Sequence, residues 1–227
     1  MIEELRTRYG TMFVPDTDAG QYYWLKNTGA SPEDEHIEEV CAMLDGRPRG
    51  VAVDCGANFG CWTLPLARHT AGVIAVEPQG FVFGLLVRTM RANPELKIWP
   101  WRVALGPEAG VARFPDVDPD KATNFGGVSQ NIAHSEQPDA PMVDVAVATV
   151  DSIVPAADHV SFIKADVEGA ELGLFRGAVK TIERCRPIIF AEADHPLTDT
   201  KALGKFIESF GYNVELVKDN NFLGMPL

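Results

Sequence analysis

The sequence predicts one α/β domain with a Rossmann-like fold: a mostly parallel seven-stranded sheet, helices on both faces and a terminal antiparallel hairpin. Three observations carry this reading. The apolar run Val51-Ala52-Val53-Asp54-Cys55 ends in an acid and passes into a glycine-spaced turn and an amphipathic stretch, Cys61 to His69. That pattern is a buried strand feeding a helix. The same device recurs at Gly72–Glu77, Val160–Asp166 and Arg186–Glu192, as a parallel sheet covered on both faces requires. Finally, Tyr212–Val217 and Phe222–Met225, joined by Asp219-Asn220-Asn221, form the expected hairpin.

Length and composition agree with one well-buried domain: 227 residues, 46% hydrophobic and 23% charged. The expected division is an N-terminal cap over residues 1–45 and a core over 46–227, with a substrate-side insertion at about 106–147. The formal net charge of -12 argues against affinity gained by neutralising nucleic-acid phosphates or an anionic membrane surface. Neither nucleic acid nor membrane is therefore expected as a partner, and no oligomeric state is assigned. Cys41, Cys55, Cys61 and Cys185 show no C-x-x-C pairing and read as reduced packing residues, which points to the cytoplasm. Met1 to Tyr9 has alternating charges and no apolar core, unlike a signal peptide.

In chain order, Gly10 to Val14 reads as a strand, and Ser31-Pro32-Glu33-Asp34 starts a helix with Ser31 as N-cap. That helix runs to about Leu44, with Ile37, Val40, Cys41 and Leu44 on one face. After the strand and turn at Val51 to Gly60, Phe81 to Ala92 is a helix and Lys97 to Val103 a third strand. Val111–Phe114 and Val143–Val150 alternate as half-buried strands. Between them lies a long loop with Asp116, Asp118, Asp120 and the run Asn124 to Ser129; its acids read as a solvated face, lacking the glycine and distal Glu of a calcium loop. Glu168-Gly169-Ala170-Glu171 opens a helix with Leu172, Phe175, Val179 and Ile182 at helical spacing, and Thr198 to Phe210 is the last helix.

The turn decides the cofactor class. A dinucleotide fingerprint needs glycines at relative positions one, three and six, and both registers that use Gly56 fail. The pattern is instead D-x-G-x-N-x-G: Asp54, Gly56, Asn58 and Gly60, with Ala57 between. A strand-end carboxylate repels a diphosphate but suits S-adenosyl-L-methionine, which carries a sulfonium and an ammonium beside one carboxylate. This is the reading of a class I methyltransferase, whose product is S-adenosyl-L-homocysteine. Glu77, before Pro78, is placed to accept hydrogen bonds from both ribose hydroxyls, and Val103 and Ala104 are placed at the adenine edge. An NAD(P)-binding oxidoreductase and a cofactor-binding module without turnover are the competing readings.

The chain resembles the FkbM-type S-adenosylmethionine-dependent methyltransferases in these segments: Val53-Asp54-Cys55-Gly56-Ala57-Asn58-Phe59-Gly60, Val76-Glu77-Pro78, Val103-Ala104-Leu105-Gly106, Thr149-Val150-Asp151, Ile163 to Glu171 and Phe190-Ala191-Glu192. The resemblance covers about Asp34 to the C-terminus. Cys55, Ala165 and Val150 depart from it without touching a polar group. The resemblance implies methylation of a hydroxyl on a small-molecule sugar, polyketide or similar metabolite.

Methyl transfer from a sulfonium is an in-line displacement, and a protonated hydroxyl is a poor nucleophile, so a base is expected near the acceptor. His195, beside Asp194 at a strand end, is the leading base, since imidazole is the side chain whose intrinsic chemistry suits proton transfer near neutrality; ordering of the loop before Pro196 is the competing reading. Asp166 and Glu192 share its crevice. With Glu168 they have the hard oxygen ligands that suit a divalent cation, but no metal is predicted, because Glu168 also reads as a helix cap. Asn124 and Ser129 are the substrate-loop candidates, against plain turn chemistry. His36, His69, His134 and His159 read as surface or packing residues.

Overall fold

A computed structural model describes residues 1–129, 137–193 and 195–227; His134 and Asp194 lie outside the described residues. The chain begins with an antiparallel hairpin, β1 (Ile2–Thr7) and β2 (Gly10–Pro15), so Met1 to Tyr9, unassigned from pattern, is mostly strand. Two helices follow, α1 (Tyr22–Thr28) and α2 (Asp34–Asp45). As expected, α2 buries Ile37, Val40, Cys41 and Leu44. Its start differs, because Glu33 holds the N-cap position and the Ser31 hydroxyl is used elsewhere. Ser31 Oγ accepts from the Glu33 amide at 3.2 Å and donates to Gln21 Oε1 at 2.9 Å, tying α2 to α1.

The central sheet is built from β3 (Val51–Cys55), β4 (Gly72–Val76), β5 (Ile98–Trp101), β9 (Val160–Ala165), β10 (Ile188–Glu192), β11 (Tyr212–Val217) and β12 (Asn221–Pro226). Its order is β11-β12-β10-β9-β3-β4-β5. The five strands from β10 to β5 are mutually parallel, and β12 runs antiparallel to both β10 and β11. The chain first builds outward from β3 to β5 and then returns to β9 on the other side. The direction of travel therefore reverses between β3 and β9, the position at which open α/β sheets bind ligands.

Alternation along the strands divides the core between the two faces. Ala52, Val73, Phe162 and Phe190 pack with α2, α3 (Thr63–His69) and α4 (Gly80–Ala92). Val53, Val76, Ile163 and Ile189 pack with α6 (Glu171–Arg176), α7 (Val179–Cys185) and α8 (Thr200–Glu208). The long helix expected from Glu168 onward is two helices. Glu168 and Gly169 have φ of +55° and +95°, so the helix starts only at Glu171. At Gly177, between α6 and α7, an added Cβ would lie 2.2 Å from the Gly106 carbonyl, a close approach that only glycine permits.

The insertion forms a second small sheet. β6 (Ala104–Leu105) pairs parallel with β8 (Met142–Ala148), which pairs antiparallel with β7 (Gly110–Pro115). The half-buried alternation thus identified β7 and β8, although β8 stops at Ala148. Thr149 there makes a capping box with Ser152 and starts α5 (Val150–Ile153). Asp116, Asp118 and Asp120 are exposed, as a solvated face would be.

Candidate active site

The turn after β3 is set by backbone geometry. Gly56 has φ +82°, and a Cβ on it would lie 1.9 Å from the Asp166 carbonyl oxygen; the tips of β3 and β9 can approach only across a glycine. The Gly56 and Ala57 amides donate to the Val76 carbonyl at 3.0 and 2.9 Å, fastening the turn to the end of β4. Asn58 adopts φ +49°, a left-handed conformation that asparagine tolerates, and Gly60 has φ +103°. The Asn58 amide donates to Glu77 Oε2 at 3.1 Å, and the Gln79 amide to Glu77 Oε1 at 2.9 Å. Glu77 is only 3% exposed, and burial pushes its carboxyl up to about 7 against the pull of those two amides.

Around this turn lie three connected spaces. The first, ≈480 Å³ with its open mouth, is lined by Gly56, Glu77, Pro78, Val103, Ala104 and Phe114 among others. The second, ≈860 Å³, shares Gly56, Glu77, Asp166 and Glu168 and adds Ala57, Asn58, Trp62, Lys164, Glu192 and Asn124. A third of ≈880 Å³ continues outward from Glu33, Asp166 and Glu192 to His36 and Asp219. Two side-chain oxygens in these walls, Gln79 Oε1 and Asn58 Oδ1, are buried without a hydrogen-bond partner. Buried acceptors of that kind mark places where a ligand's donors fit.

Asp54 is placed differently from the other candidates. It is 0% exposed, its Oδ2 accepts from the Thr63 hydroxyl at 2.6 Å, and it lines none of these spaces. Burial pushes its pKa up, while Lys164 and the Thr63 hydroxyl pull it down. Lys164 is the residue that pattern reading passed over. It places a charge in a wholly buried strand, is 2% exposed, and its Nζ reaches Asp166 Oδ2 at 2.9 Å and the Gly56 carbonyl at 3.3 Å. Burial depresses its ammonium pKa, but Asp166, Asp54 and Glu33 together outweigh burial and raise it. A lone lysine inside a buried strand was the available signal.

The structure brings Asp166, Glu168 and Glu192 together: one carboxylate oxygen of each lies within 4.8 Å of the others. Lys164 already neutralises Asp166 in that group. His195 stands behind Glu168, its Nε2 3.5 Å from Glu168 Oε2, and its Nδ1 accepts the Leu197 amide at 3.1 Å. Nδ1 therefore carries a lone pair and Nε2 the proton. Asn124 lines the second space and closes its own turn, its Oδ1 accepting from the Gly126 amide at 3.1 Å. Ser129 is buried outside the three spaces and donates to the Glu168 carbonyl at 3.0 Å. Among the other histidines, His36 is buried and His69 pairs with Asp45 at 2.7 Å.

The site's outer wall is held by residues far apart in sequence. Gln79 Nε2 donates to the Phe125 carbonyl at 2.8 Å, and Asp18 Oδ2 accepts the Phe125 amide at 3.2 Å. The buried Phe125 ring packs on Phe81 and Phe59 at centroid distances of 5.5 and 6.2 Å. Among the described residues, no helix is long and apolar enough to cross a membrane.

The family pattern described as Methyltransferase FkbM domain matches residues 54–214, from the acid at the tip of β3 to the middle of β11. The chain belongs to the FkbM methyltransferase family. Its sheet order, ending in the antiparallel β11–β12 pair, is that of class I methyltransferases, as expected from the strand-end acids. The chain is similar in structure to the methyltransferase FkbM from Methylobacillus flagellatus KT, with TM-score 0.56 and 24% identity over 78% of this chain and 43% of that one. It thus spans under half the length of that relative. Similarity at the level of fold extends to two Pyrococcus abyssi proteins, each 12% identical and covered over 98% of this chain. One is Trm5b, at TM-score 0.51 over 54% of its chain. The other is a tRNA (uracil-54, C5)-methyltransferase in complex with S-adenosyl-L-homocysteine, at 0.52 over 43% of its chain. No curated protein matches the sequence. The expectation that nucleic acid is excluded gains no support from neighbours of this kind, and the FkbM assignment alone leaves the acceptor open.

Proposed function

We propose that this FkbM-family protein is an S-adenosyl-L-methionine-dependent O-methyltransferase acting on a hydroxyl of a small metabolite of the sugar or polyketide type. The observation that carries the reading is Glu77, a buried carboxylate at the tip of β4 held by two amides and facing a space walled by Pro78, Val103 and Ala104. A carboxylate fixed in this way accepts hydrogen bonds from ribose hydroxyls and repels a diphosphate. Gly56, Ala57, Asn58 and Gly60 shape the turn that receives the rest of the cofactor, and Asp166 faces it from β9. Asp54 acts from behind the turn, holding Thr63 and sharing the charge of Lys164.

When bound, the cofactor supplies an electrophilic methyl group on a sulfonium. This chain's task is to bring an acceptor oxygen to it in line and to exclude water. Transfer to a hydroxyl would require loss of its proton, and Asp166, Glu168 and Glu192 are the carboxylates placed to take it at the acceptor end. Because Nδ1 of His195 is taken by a main-chain amide, His195 acts through Glu168, with its Nε2 proton toward that carboxylate. Asn124 and Ser129 shape the loop over the acceptor, Asn124 from its wall and Ser129 through the Glu168 carbonyl. A small acceptor also fits the acid lining, which would repel a polyanion.

Two measurements test this. Calorimetry with S-adenosyl-L-homocysteine and with NAD should show binding of the first alone; the opposite result makes the protein an oxidoreductase. Methyl uptake from labelled donor into a panel of hydroxylated metabolites should identify an ether product. Uptake confined to RNA would overturn the small-acceptor reading.

A further inference from the structure

The outward groove of ≈880 Å³ runs between the start of α2 and the turn joining β11 to β12. Its carboxylates are Glu33, Asp166, Glu192 and Asp219. Its two lysine-type charges in reach are already matched, Lys164 by Asp166 at 2.9 Å and Lys218 by Glu35 at 2.6 Å. Burial pushes the Glu33 carboxyl up, and Lys164 offsets this only in part; a carboxylate so placed gains from a nearby positive charge.

His36 makes a second, independent observation. It lines the same groove, is 3% exposed, and packs 5.3 Å from the Phe190 ring. Its Nε2 lies 3.2 Å from Asp219 Oδ2, which places the ring proton on Nε2. Nδ1 is then a lone-pair acceptor, and it is buried with no hydrogen-bond partner. Glu33, Glu192 and His36 Nδ1 thus offer acceptors to a ligand that brings donors and positive charge.

We propose that the methyl acceptor is a hydroxylated amine whose ammonium group is held by Glu33, Glu192 and Nδ1 of His36. This rests on the methyltransferase reading and narrows its substrate class. Phosphorylated and carboxylated hydroxyl compounds are disfavoured by the same acids.

The test uses the full chain saturated with S-adenosyl-L-homocysteine, slightly below neutral pH. Calorimetric titration with glucosamine, glucose and glucuronate compares probes that share a hydroxylated ring and differ in charge. Glucosamine should bind at least about tenfold more tightly than glucose, and glucuronate most weakly. Glu33→Gln and Glu192→Gln should each remove about tenfold of that preference, a modest loss for one partner of a buried charged contact. Their affinity for S-adenosyl-L-homocysteine should stay within about twofold, showing that they are folded. Equal or tighter binding of glucose or glucuronate, no binding of glucosamine, or variants that keep the preference would each overturn the proposal. So would Mn²⁺ held by the wild type, lost in Glu192→Gln and not displaced by glucosamine, because the acids would then serve a metal. Failure of S-adenosyl-L-homocysteine itself to bind would instead overturn the methyltransferase reading.

Discussion

Protonation of Glu77 should couple cofactor binding to pH. Burial raises its carboxyl from an ordinary 4.5 to about 7, while hydrogen bonds donated by ribose hydroxyls would favour the ionised form. Between these two values the folded protein holds a proton that the unfolded chain has lost. This group's contribution to stability is therefore full below about pH 4.5 and is lost as pH rises through about 7, in total on the order of 3 kcal/mol. Binding below pH 7 must expel that proton. The affinity for S-adenosyl-L-homocysteine should then rise by up to about tenfold per pH unit toward 7 and level off above it. Calorimetry at fixed pH in buffers of different ionisation enthalpy counts the protons released; up to about one is expected at the acid end of the window. In Glu77→Gln the released proton and the pH slope should both vanish, and affinity at pH 8 should fall by about tenfold or more, because both amides and the ribose lose an anionic acceptor. Unchanged proton release in that variant, or wild-type affinity indifferent to pH, would refute the assignment of Glu77.

Gly56→Ala should lower the thermal midpoint and abolish S-adenosyl-L-homocysteine binding, since left-handed backbone costs alanine about 1–2 kcal/mol even before its Cβ meets the Asp166 carbonyl; wild-type binding in this variant would contradict the close approach. Asp54→Ala strips Lys164 of part of its counter-charge and Thr63 of its acceptor, so chemical denaturation should show a loss of about 3–5 kcal/mol together with weaker cofactor binding, whereas a loss of binding at full stability would make Asp54 a direct ligand. His195→Ala should leave cofactor affinity intact, lower kcat by about tenfold or more and shift the pH profile of turnover. A rate and profile identical to wild type would remove His195 from the acceptor end.

Most of the architecture could be read from the chain because buried parallel strands write a simple code. Val51–Val53 and Gly72–Val76 are unbroken apolar runs, and the acids that follow them, Asp54 and Glu77, mark the crevice. The placement of Gly56 and Glu77 at strand tips was legible for the same reason. What could not be read depended on contacts between distant segments. Helical spacing from Leu172 to Ile182 continues across Gly177, and only the Gly106 carbonyl against it reveals the break. Ser31 has the right neighbours for a cap, yet its hydroxyl is claimed by Gln21. His195 has a suitable chemistry, but which of its nitrogens is occupied depends on the Leu197 amide. Lys164 was visible as an anomaly in a buried strand, while Asp54 and Glu33, which share its charge with the neighbouring Asp166, come from distant parts of the chain.

The Phe125 clasp stitches the family-matched core to the segment that precedes it. The shared family pattern begins at residue 54, yet Asp18, which pins the clasp, and Gln21, Glu33 and His36 along the outer spaces all precede it. The outer spaces are thus walled jointly by this leading segment and by Asn124, Asp166 and Glu192 from within the family match. Exchange of the leading segment alone would therefore renew one side of those walls and leave the opposite side in place.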